Sequence, residues 1–233
     1  MHMKRRAFIF FYPITAFVLL FLSGCAEYQY VTVDSGLDKA DKQQYYYEND
    51  SLRINYTFAG PDFKVTTTVF NKMDQPLYVD WQKSAVVLDS QQMDDAYKIN
   101  GLDGFIAPHS NLSVTSNILI DQFFNVRATN HEEGKGSENA NERTGHAIQY
   151  SDSVSPMHVR SILALTSNND LSDPIYFDSP FYVSGIKKTF SGPLSTQELP
   201  QNQFYLKRET GFGKFMGWTG ALALILALAA LGG

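Results

Sequence analysis

Residues 52–69, which read LRINYTFAGPDFKVTTTV, decide the predicted fold. Apolar and polar side chains alternate before the central Gly-Pro-Asp, and they alternate again after it. Alternation with a period of two on both sides of a turn is typical of β-strands that each bury one face. The stretch therefore predicts two consecutive strands of a sheet that has one side in a hydrophobic core.

The same kind of pattern continues along the chain, with turn residues between the runs. Further strands are predicted at residues 77–81, 84–88, 105–106, 112–115, 118–120, 159–165 and 180–190. No long amphipathic helix is predicted, although Ser35–Tyr47 is compatible with a short one. The pattern as a whole predicts an all-β protein, and within that class an antiparallel β-sandwich.

The N-terminus has the parts of a lipoprotein signal peptide. Residues 4–6 are Lys-Arg-Arg, residues 7–22 are mainly apolar, and small residues lead to Cys25. A basic start, an apolar middle and a small-residue cleavage site define a secretory signal. The ending Leu-Ser-Gly-Cys resembles the lipobox of bacterial lipoproteins. The resemblance implies that residues 1–24 are removed and that Cys25 is acylated. An ordinary signal peptide or a membrane anchor with a chance cysteine is the alternative.

The chain has a single cysteine, which excludes an internal disulfide and a multi-cysteine metal site. We expect Cys25 to carry several acyl chains, because one chain holds a protein only marginally. Removing the signal removes three of the 19 basic residues and none of the 24 acidic ones, which leaves a net charge of −8. This charge disfavours nucleic acid and anionic lipid surfaces, so no nucleic-acid partner is expected.

Residues 211–233 are predicted to form a C-terminal membrane helix. Residues 215–233 carry no charge, and as a helix they would span about 28 Å, close to the roughly 30 Å of a bilayer interior. Trp218 lies near one end, where an interfacial aromatic residue is expected. A helix buried in a partner protein and a low-complexity tail are the alternatives. The choice between the inner and the outer membrane is left open.

Between the apolar ends, residues 25–210 are long enough to form one domain with a core. Residues 127–149 contain almost no apolar side chain and predict a mobile loop near that position. Residues 69–84, 105–110 and 179–186 resemble strands of uncharacterised envelope lipoproteins of Bacteroidetes-type bacteria. The resemblance implies an immunoglobulin-like β-sandwich on a lipid anchor, and it supplies no catalytic residue.

The sequence contains no recognisable catalytic motif. His131, Glu132 and Glu133 begin as a zinc-protease helix does, but Lys135 stands where the second histidine is required. The oxygen-rich residues 167–173 lack the glycine and the distal glutamate of the usual calcium loop, so backbone turns explain them better. We therefore predict a protein that is not an enzyme and has no cofactor and no metal site.

Tyr45, Tyr46 and Tyr47 are the candidate partner-binding residues, because tyrosine suits wet binding surfaces. A β-rich domain also uses aromatic residues inside its sheets, and this alternative stays open. The sequence predicts a non-catalytic structural or protein-binding module of the cell envelope, anchored in membrane lipid through Cys25 and residues 215–233. Its main domain lies outside the cytoplasm, where it binds or scaffolds envelope proteins. The alternatives are a small-ligand-binding protein, an enzyme without a visible motif, and an accessory subunit of a membrane complex.

Overall fold

The structure, a computed structural model, describes residues 26–93, 96–97, 104–116, 118, 120, 123–125, 147–193 and 198–209. The signal peptide, Cys25, the predicted helix at 211–233 and most of the predicted loop at 127–149 lie outside the described residues. The described part is mostly β-sheet, which confirms the all-β prediction. No helix within it is long and apolar enough to cross a membrane.

The strands that the structure describes are numbered here in chain order. They are β1 (Ala26–Asp34), β2 (Asp38–Lys39), β3 (Tyr45–Glu48), β4 (Leu52–Thr57), β5 (Gly60–Pro61), β6 (Thr66–Asn71), β7 (Leu77–Val79), β8 (Ala85–Leu88), β9 (Gln91–Met93), β10 (Phe105–Ile106), β11 (Asn111–Thr115), β12 (Ala147–Gln149), β13 (His158–Thr166), β14 (Ile175–Thr189) and β15 (Gln203–Glu209). Two short 3₁₀ turns, Asp41–Gln43 and Asp152–Val154, accompany them.

Within the described residues these strands form two sheets. The ten-stranded sheet has the order β10-β7-β13-β14-β1-β15-β5, with β12 beside β14, β8 beside β13 and β9 beside β8. The five-stranded sheet has the order β11-β6-β4-β3-β2. Pairs such as β4–β6 and β13–β14 are antiparallel, whereas β15 and β5 pair in parallel.

The stretch that decides the predicted fold forms β4 and β6. Leu52, Ile54 and Tyr56 are buried while the residues between them are partly exposed, as the alternation predicts. The second strand begins at Thr66, later than the alternation suggests. Part of the intervening segment pairs with β15 instead, where Gly60 adopts a φ of 126° that favours glycine.

The short helix considered for Ser35–Tyr47 is wrong. This stretch contains β2, one 3₁₀ turn and the start of β3, and Lys42 in that turn has a φ of 58° that no α-helix contains. The physical reason is that Tyr45 belongs to the core and pairs with Tyr56 in the five-stranded sheet.

The end of the loop predicted at 127–149 also differs from the structure. Its last three residues, Ala147–Gln149, form strand β12, which pairs with β14.

One hydrophobic core is shared by side chains of both sheets. The ring of Phe181 in β14 has its centroid 5.1 Å from that of Tyr56, 5.0 Å from Phe58 and 5.8 Å from Tyr45. All four side chains are buried. Burial of one such side chain contributes about 1.5–3 kcal/mol, so the rings that meet here account for a large share of the folding free energy.

The chain divides into two compact units. Among the described residues, the larger unit lies within 29–188 and 193–206, and it contains the core and every surface discussed below. The smaller unit comprises residues 26–28, 189–192 and 207–209. Within the smaller unit Arg208 forms an ion pair with Glu27. In the same unit Gly192 lies so near the ring of Tyr28 that an added Cβ would meet it at 2.7 Å.

Candidate functional site

Tyr45 lies in the core rather than on a surface. Its side chain has no exposed area, and its hydroxyl donates to Asp34 Oδ1 at 2.7 Å and lies 3.1 Å from the carbonyl of Val33. Burial, together with the hydrogen bond to Asp34, raises the pKa of Tyr45 to about 12. Tyr45 is therefore a structural residue that a partner cannot reach.

The Asp34 carboxylate joins Tyr45 to Lys39. The ammonium of Lys39 lies 2.9 Å from Asp34 Oδ1 and 5.2 Å from the centroid of the Tyr45 ring. Burial alone would raise the pKa of the Asp34 carboxyl. Hydrogen bonds from Lys39, Tyr45 and the backbone N–H of Ser35 outweigh burial and lower this pKa. The ion pair between Asp34 and Lys39 therefore lies at the edge of the core, next to Tyr45 in β3.

Tyr46 points to the opposite face of β3 and is partly exposed. The Cζ atom of Arg53 lies 4.3 Å from the centroid of its ring, which is a cation–π contact. Arg53 also donates from Nε to Asn55 Oδ1 at 2.9 Å, so the guanidinium is held in place. Such a contact contributes about 0.5–1 kcal/mol at an exposed site. It places a charged guanidinium against an aromatic ring on this face of β3.

Tyr47 returns to the inner face of β3, beside Phe177 of β14. The two ring centroids are 5.5 Å apart, yet 37% of Tyr47 is exposed. Ile175 lies two residues before Phe177 on the same face of β14, and 66% of it is exposed. We call Tyr47, Ile175 and Phe177 the Tyr47 patch. It is a partly exposed apolar surface where β3 of the five-stranded sheet meets β14 of the ten-stranded sheet.

The predicted cluster of three tyrosines is therefore divided. Successive side chains of a strand point to opposite faces, so Tyr45 enters the core, Tyr46 contacts Arg53 and Tyr47 joins an exposed apolar patch. Cys25, the predicted acylation site, lies outside the described residues. The incomplete zinc motif at 131–133 lies outside them as well.

A groove lies between β7 and the loop that follows β13. Its volume is about 430 Å³, and it is lined by Tyr78, Ser167, Asn168, Asn169, Asp170 and Ser172. We call it the Tyr78 groove. Tyr78 faces outward because Leu77 and Val79 on either side of it are buried in the core. Its ring packs beside Phe105 of β10, with the centroids 5.6 Å apart.

The loop of this groove is the oxygen-rich segment 167–173. Asn168 Nδ2 donates to the carbonyl and the hydroxyl of Ser172, and Asp170 Oδ1 accepts the backbone N–H of Ser172 at 3.0 Å. Hydrogen bonds with Ser172 lower the pKa of Asp170. Turns of this kind form for backbone reasons. Within the described ranges no three His, Cys, Asp or Glu side chains are grouped closely enough to hold a metal ion.

A second open depression lies beside β5. It has a volume of about 480 Å³ and is lined by Lys42, Thr57, Ala59, Gly60, Pro61, Pro193, Glu198, Leu199, Gln201 and Tyr205. The ammonium of Lys42 lies 2.7 Å from Glu198 Oε2, and this pairing raises the pKa of Lys42 and lowers that of Glu198. Both side chains are largely exposed, and a pair in such a place contributes little to stability.

Asp80 is a buried carboxylate that the sequence analysis misses. Its Oδ1 accepts the backbone N–H groups of Gln82 and Lys83 at 3.0 and 3.2 Å, and its Oδ2 lies 3.0 Å from the Lys83 ammonium. An Asp directly after the apolar run of β7 is the signal that could have indicated this turn. The position of Tyr78 could also be predicted, because the alternation of residues 77–81 places its side chain on the outer face of the strand.

No protein-family model, curated protein or solved structure matches this chain. Function is therefore inferred from the residues and the geometry of the chain itself.

Proposed function

We propose that this chain is a cell-envelope lipoprotein that acts as a non-catalytic protein-binding module. Cys25 becomes the acylated first residue of the mature chain, and residues 211–233 form a membrane helix as a second attachment. The domain between them lies outside the cytoplasm. Attachment to a membrane raises the local concentration of the module, so modest intrinsic affinity for a neighbouring envelope protein suffices.

The fold that we infer for residues 25–210 is an immunoglobulin-like β-sandwich. What supports it is the packing of Phe181 in the ten-stranded sheet against Tyr56 in the five-stranded sheet, together with the antiparallel pairs β4–β6 and β13–β14. A sandwich is a rigid scaffold whose function depends on the surfaces that it carries. The Tyr47 patch is such a surface.

The Tyr47 patch is the observation that carries the protein-binding proposal. Aromatic residues that pack on the protein and keep an exposed face are typical of the centre of an interface. The ring of Tyr47 is held by Phe177, so it loses little conformational freedom on binding. At the rim Glu48 pairs with Lys72 at 2.6 Å. The partner that fits this surface is a protein with an apolar side chain at the centre of its own contact region.

The anchor is tested by growing cells with a radioactive fatty acid. We expect the full-length chain to be labelled and the Cys25→Ala variant to be unlabelled, because the thiol is the acceptor of the acyl chain. An unlabelled wild-type chain would refute the lipoprotein proposal without bearing on the binding surface.

The binding surface is tested by cross-linking in intact cells, followed by purification of the full-length chain. We expect the double variant Tyr47→Ser, Ile175→Ser to lose at least nine-tenths of a cross-linked partner, since about 1.4 kcal/mol of lost contact weakens binding tenfold. The matched control is Val154→Ser, which changes another apolar residue that is 58% exposed. Equal cross-linking by both variants, with circular dichroism unchanged, contradicts the proposal.

A further inference from the structure

The Tyr78 groove differs from the Tyr47 patch in position and in chemistry. It lies on the outer face of the ten-stranded sheet, and its wall of β7 presents the ring of Tyr78, supported from the side by Phe105. The facing wall is the loop 167–172, whose lining side chains are hydroxyl, amide and carboxylate groups. A partly exposed tyrosine therefore borders several short polar side chains on this surface.

Part of the hydrogen-bonding capacity of the loop is unused. Asn168 Nδ2 and Asp170 Oδ1 are engaged with Ser172, which fixes the shape of the loop. In the part of the chain that the structure describes, no partner is recorded for Asn168 Oδ1, for the side-chain amide of Asn169 or for the hydroxyl of Ser167. These groups supply donors and acceptors in one small region.

The chemistry of the lining selects a class of ligand. Amides and hydroxyls that both donate and accept match a ligand rich in hydroxyl groups, and the Tyr78 side chain lies beside them. The described residues that line the groove include no Lys, Arg or His, although the Lys83 ammonium donates to the carbonyl of Leu171 in the same loop at 3.4 Å. The carboxylate of Asp170 disfavours anions. A wholly apolar ligand would leave the loop groups unpaired, which costs free energy.

We propose that the Tyr78 groove binds a neutral saccharide chain, with a sugar unit beside Tyr78 and its hydroxyls bonded to Asn168 and Asn169. This site goes beyond the protein-binding function, and it depends neither on the membrane anchor nor on the Tyr47 patch. The groove is open rather than enclosed, so it suits the side of an extended chain better than a single free sugar.

The proposal is tested by isothermal titration of the full-length chain, kept in a sugar-free detergent, with four hexasaccharides. They are maltohexaose, cellohexaose, xylohexaose and the hexamer of N-acetylglucosamine. We expect at least one to bind, and we expect Tyr78→Ala and Asn169→Ala to weaken it about tenfold, as the loss of about 1.4 kcal/mol implies. The matched controls are Tyr176→Ala, which changes a tyrosine that is 55% exposed outside the groove, and Asn111→Ala on exposed β11.

Each outcome of this titration decides the question. Binding that persists in Tyr176→Ala, Asn111→Ala and the Tyr47→Ser, Ile175→Ser variant but weakens in Asn169→Ala supports the saccharide site, even where Tyr78→Ala proves too unstable to purify. No binding of any hexasaccharide by the wild-type chain overturns it. Binding of calcium alone, or equal binding by wild type and a folded Asn169→Ala variant, overturns it as well.

Discussion

The hydroxyl of Tyr56 in β4 accepts a hydrogen bond from the hydroxyl of Ser179 in β14 at 2.8 Å, inside the core. Ser161, which lies opposite Ser179 in the β13–β14 register, has its hydroxyl 2.8 Å from that of Tyr97. Apolar packing tolerates small shifts of one sheet over the other. Buried hydroxyl pairs do not, because a shift leaves polar groups unpaired. The Tyr56–Ser179 pair therefore fixes how the two sheets align.

We expect Ser179→Ala to lower the free energy of unfolding by about 1–2 kcal/mol, because it leaves the buried hydroxyl of Tyr56 without this partner. Ser113→Ala is the matched control, since Ser113 bonds to Thr68 on an exposed face and the expected loss is below about 0.5 kcal/mol. Urea denaturation of the folded chain measures both. Equal losses in the two variants would show that the buried pair has no special role.

The buried tyrosines predict a loss of stability at alkaline pH. Burial raises the pKa of Tyr45 to about 12 and raises those of Tyr56 and Tyr97 as well. An unfolded tyrosine loses its proton near pH 10, whereas these three keep theirs when the chain is folded. The unfolding free energy should therefore be steady below about pH 10 and fall above it, by about 1.4 kcal/mol per pH unit for each tyrosine.

Urea denaturation between pH 7 and 11.5, with phenolate absorbance as a second signal, measures this fall. Tyr45→Phe should remove the contribution of one group and make the fall less steep above pH 10. Identical pH profiles for Tyr45→Phe and the wild-type chain would contradict the assignment of Tyr45 to the core.

The Asp34–Lys39 pair predicts a change at acid pH. The pKa of Asp34 is lower in the folded chain than in the unfolded chain, so its stabilisation is complete above about pH 4 and is lost as the pH falls through the folded value. We expect Asp34→Asn to lower the unfolding free energy by about 0.5–1 kcal/mol at pH 7, a small value because the pair is partly exposed. The difference should disappear near pH 2.

The matched control for this pair is Asp50→Asn, which changes an exposed carboxylate in a turn. It should leave stability at pH 7 within about 0.5 kcal/mol of the wild-type value. A difference between Asp34→Asn and the wild type that stays constant from pH 7 to pH 2 would mean that charge is not the cause.

Gly104 supports the wall of the Tyr78 groove through its close approach to β7. Its carbonyl accepts the backbone N–H of Val79 at 2.8 Å, and an added Cβ would lie 2.1 Å from the Val79 carbonyl oxygen. We expect Gly104→Ala to lower the unfolding free energy by about 1–3 kcal/mol, because backbone must move to relieve the clash. Gly36→Ala is the control, as its added Cβ meets nothing within 4 Å. Thermal denaturation that shows equal loss in both would contradict this.

The strands that could be predicted are those whose own residues alternate. Leu52–Thr57 is an example, since its buried positions can be read directly from the order of apolar and polar side chains. The strand predicted at 180–190 omits the first five residues of β14, which begins at Ile175. The prediction starts late because the polar residues Asp178 and Ser179 interrupt the apolar pattern. The two-residue strand β5 could not be predicted, as its parallel pairing depends on a strand far along the chain.

The candidate site was harder to predict for a similar reason. Three identical residues in a row, Tyr45–Tyr47, contain no alternation that tells which faces the core. The exposure of Tyr47 depends on how far the opposite sheet extends, which its own sequence does not show. Ile175, the other exposed residue of the patch, is distant from Tyr47 in the sequence. The polar wall of the Tyr78 groove was recognisable as a turn, but its position beside Tyr78 arises from the pairing of β7 with β13.

In the ten-stranded sheet β1 pairs with strands that are synthesised long after it. Its neighbours on both sides are β14 and β15, so the first strand to leave the ribosome is flanked by two of the last. Until residue 203 has been made, one edge of β1 has nothing to pair with, and such unpaired edges invite association with other chains. The ten-stranded sheet therefore cannot close on both sides of β1 until most of the chain has been made.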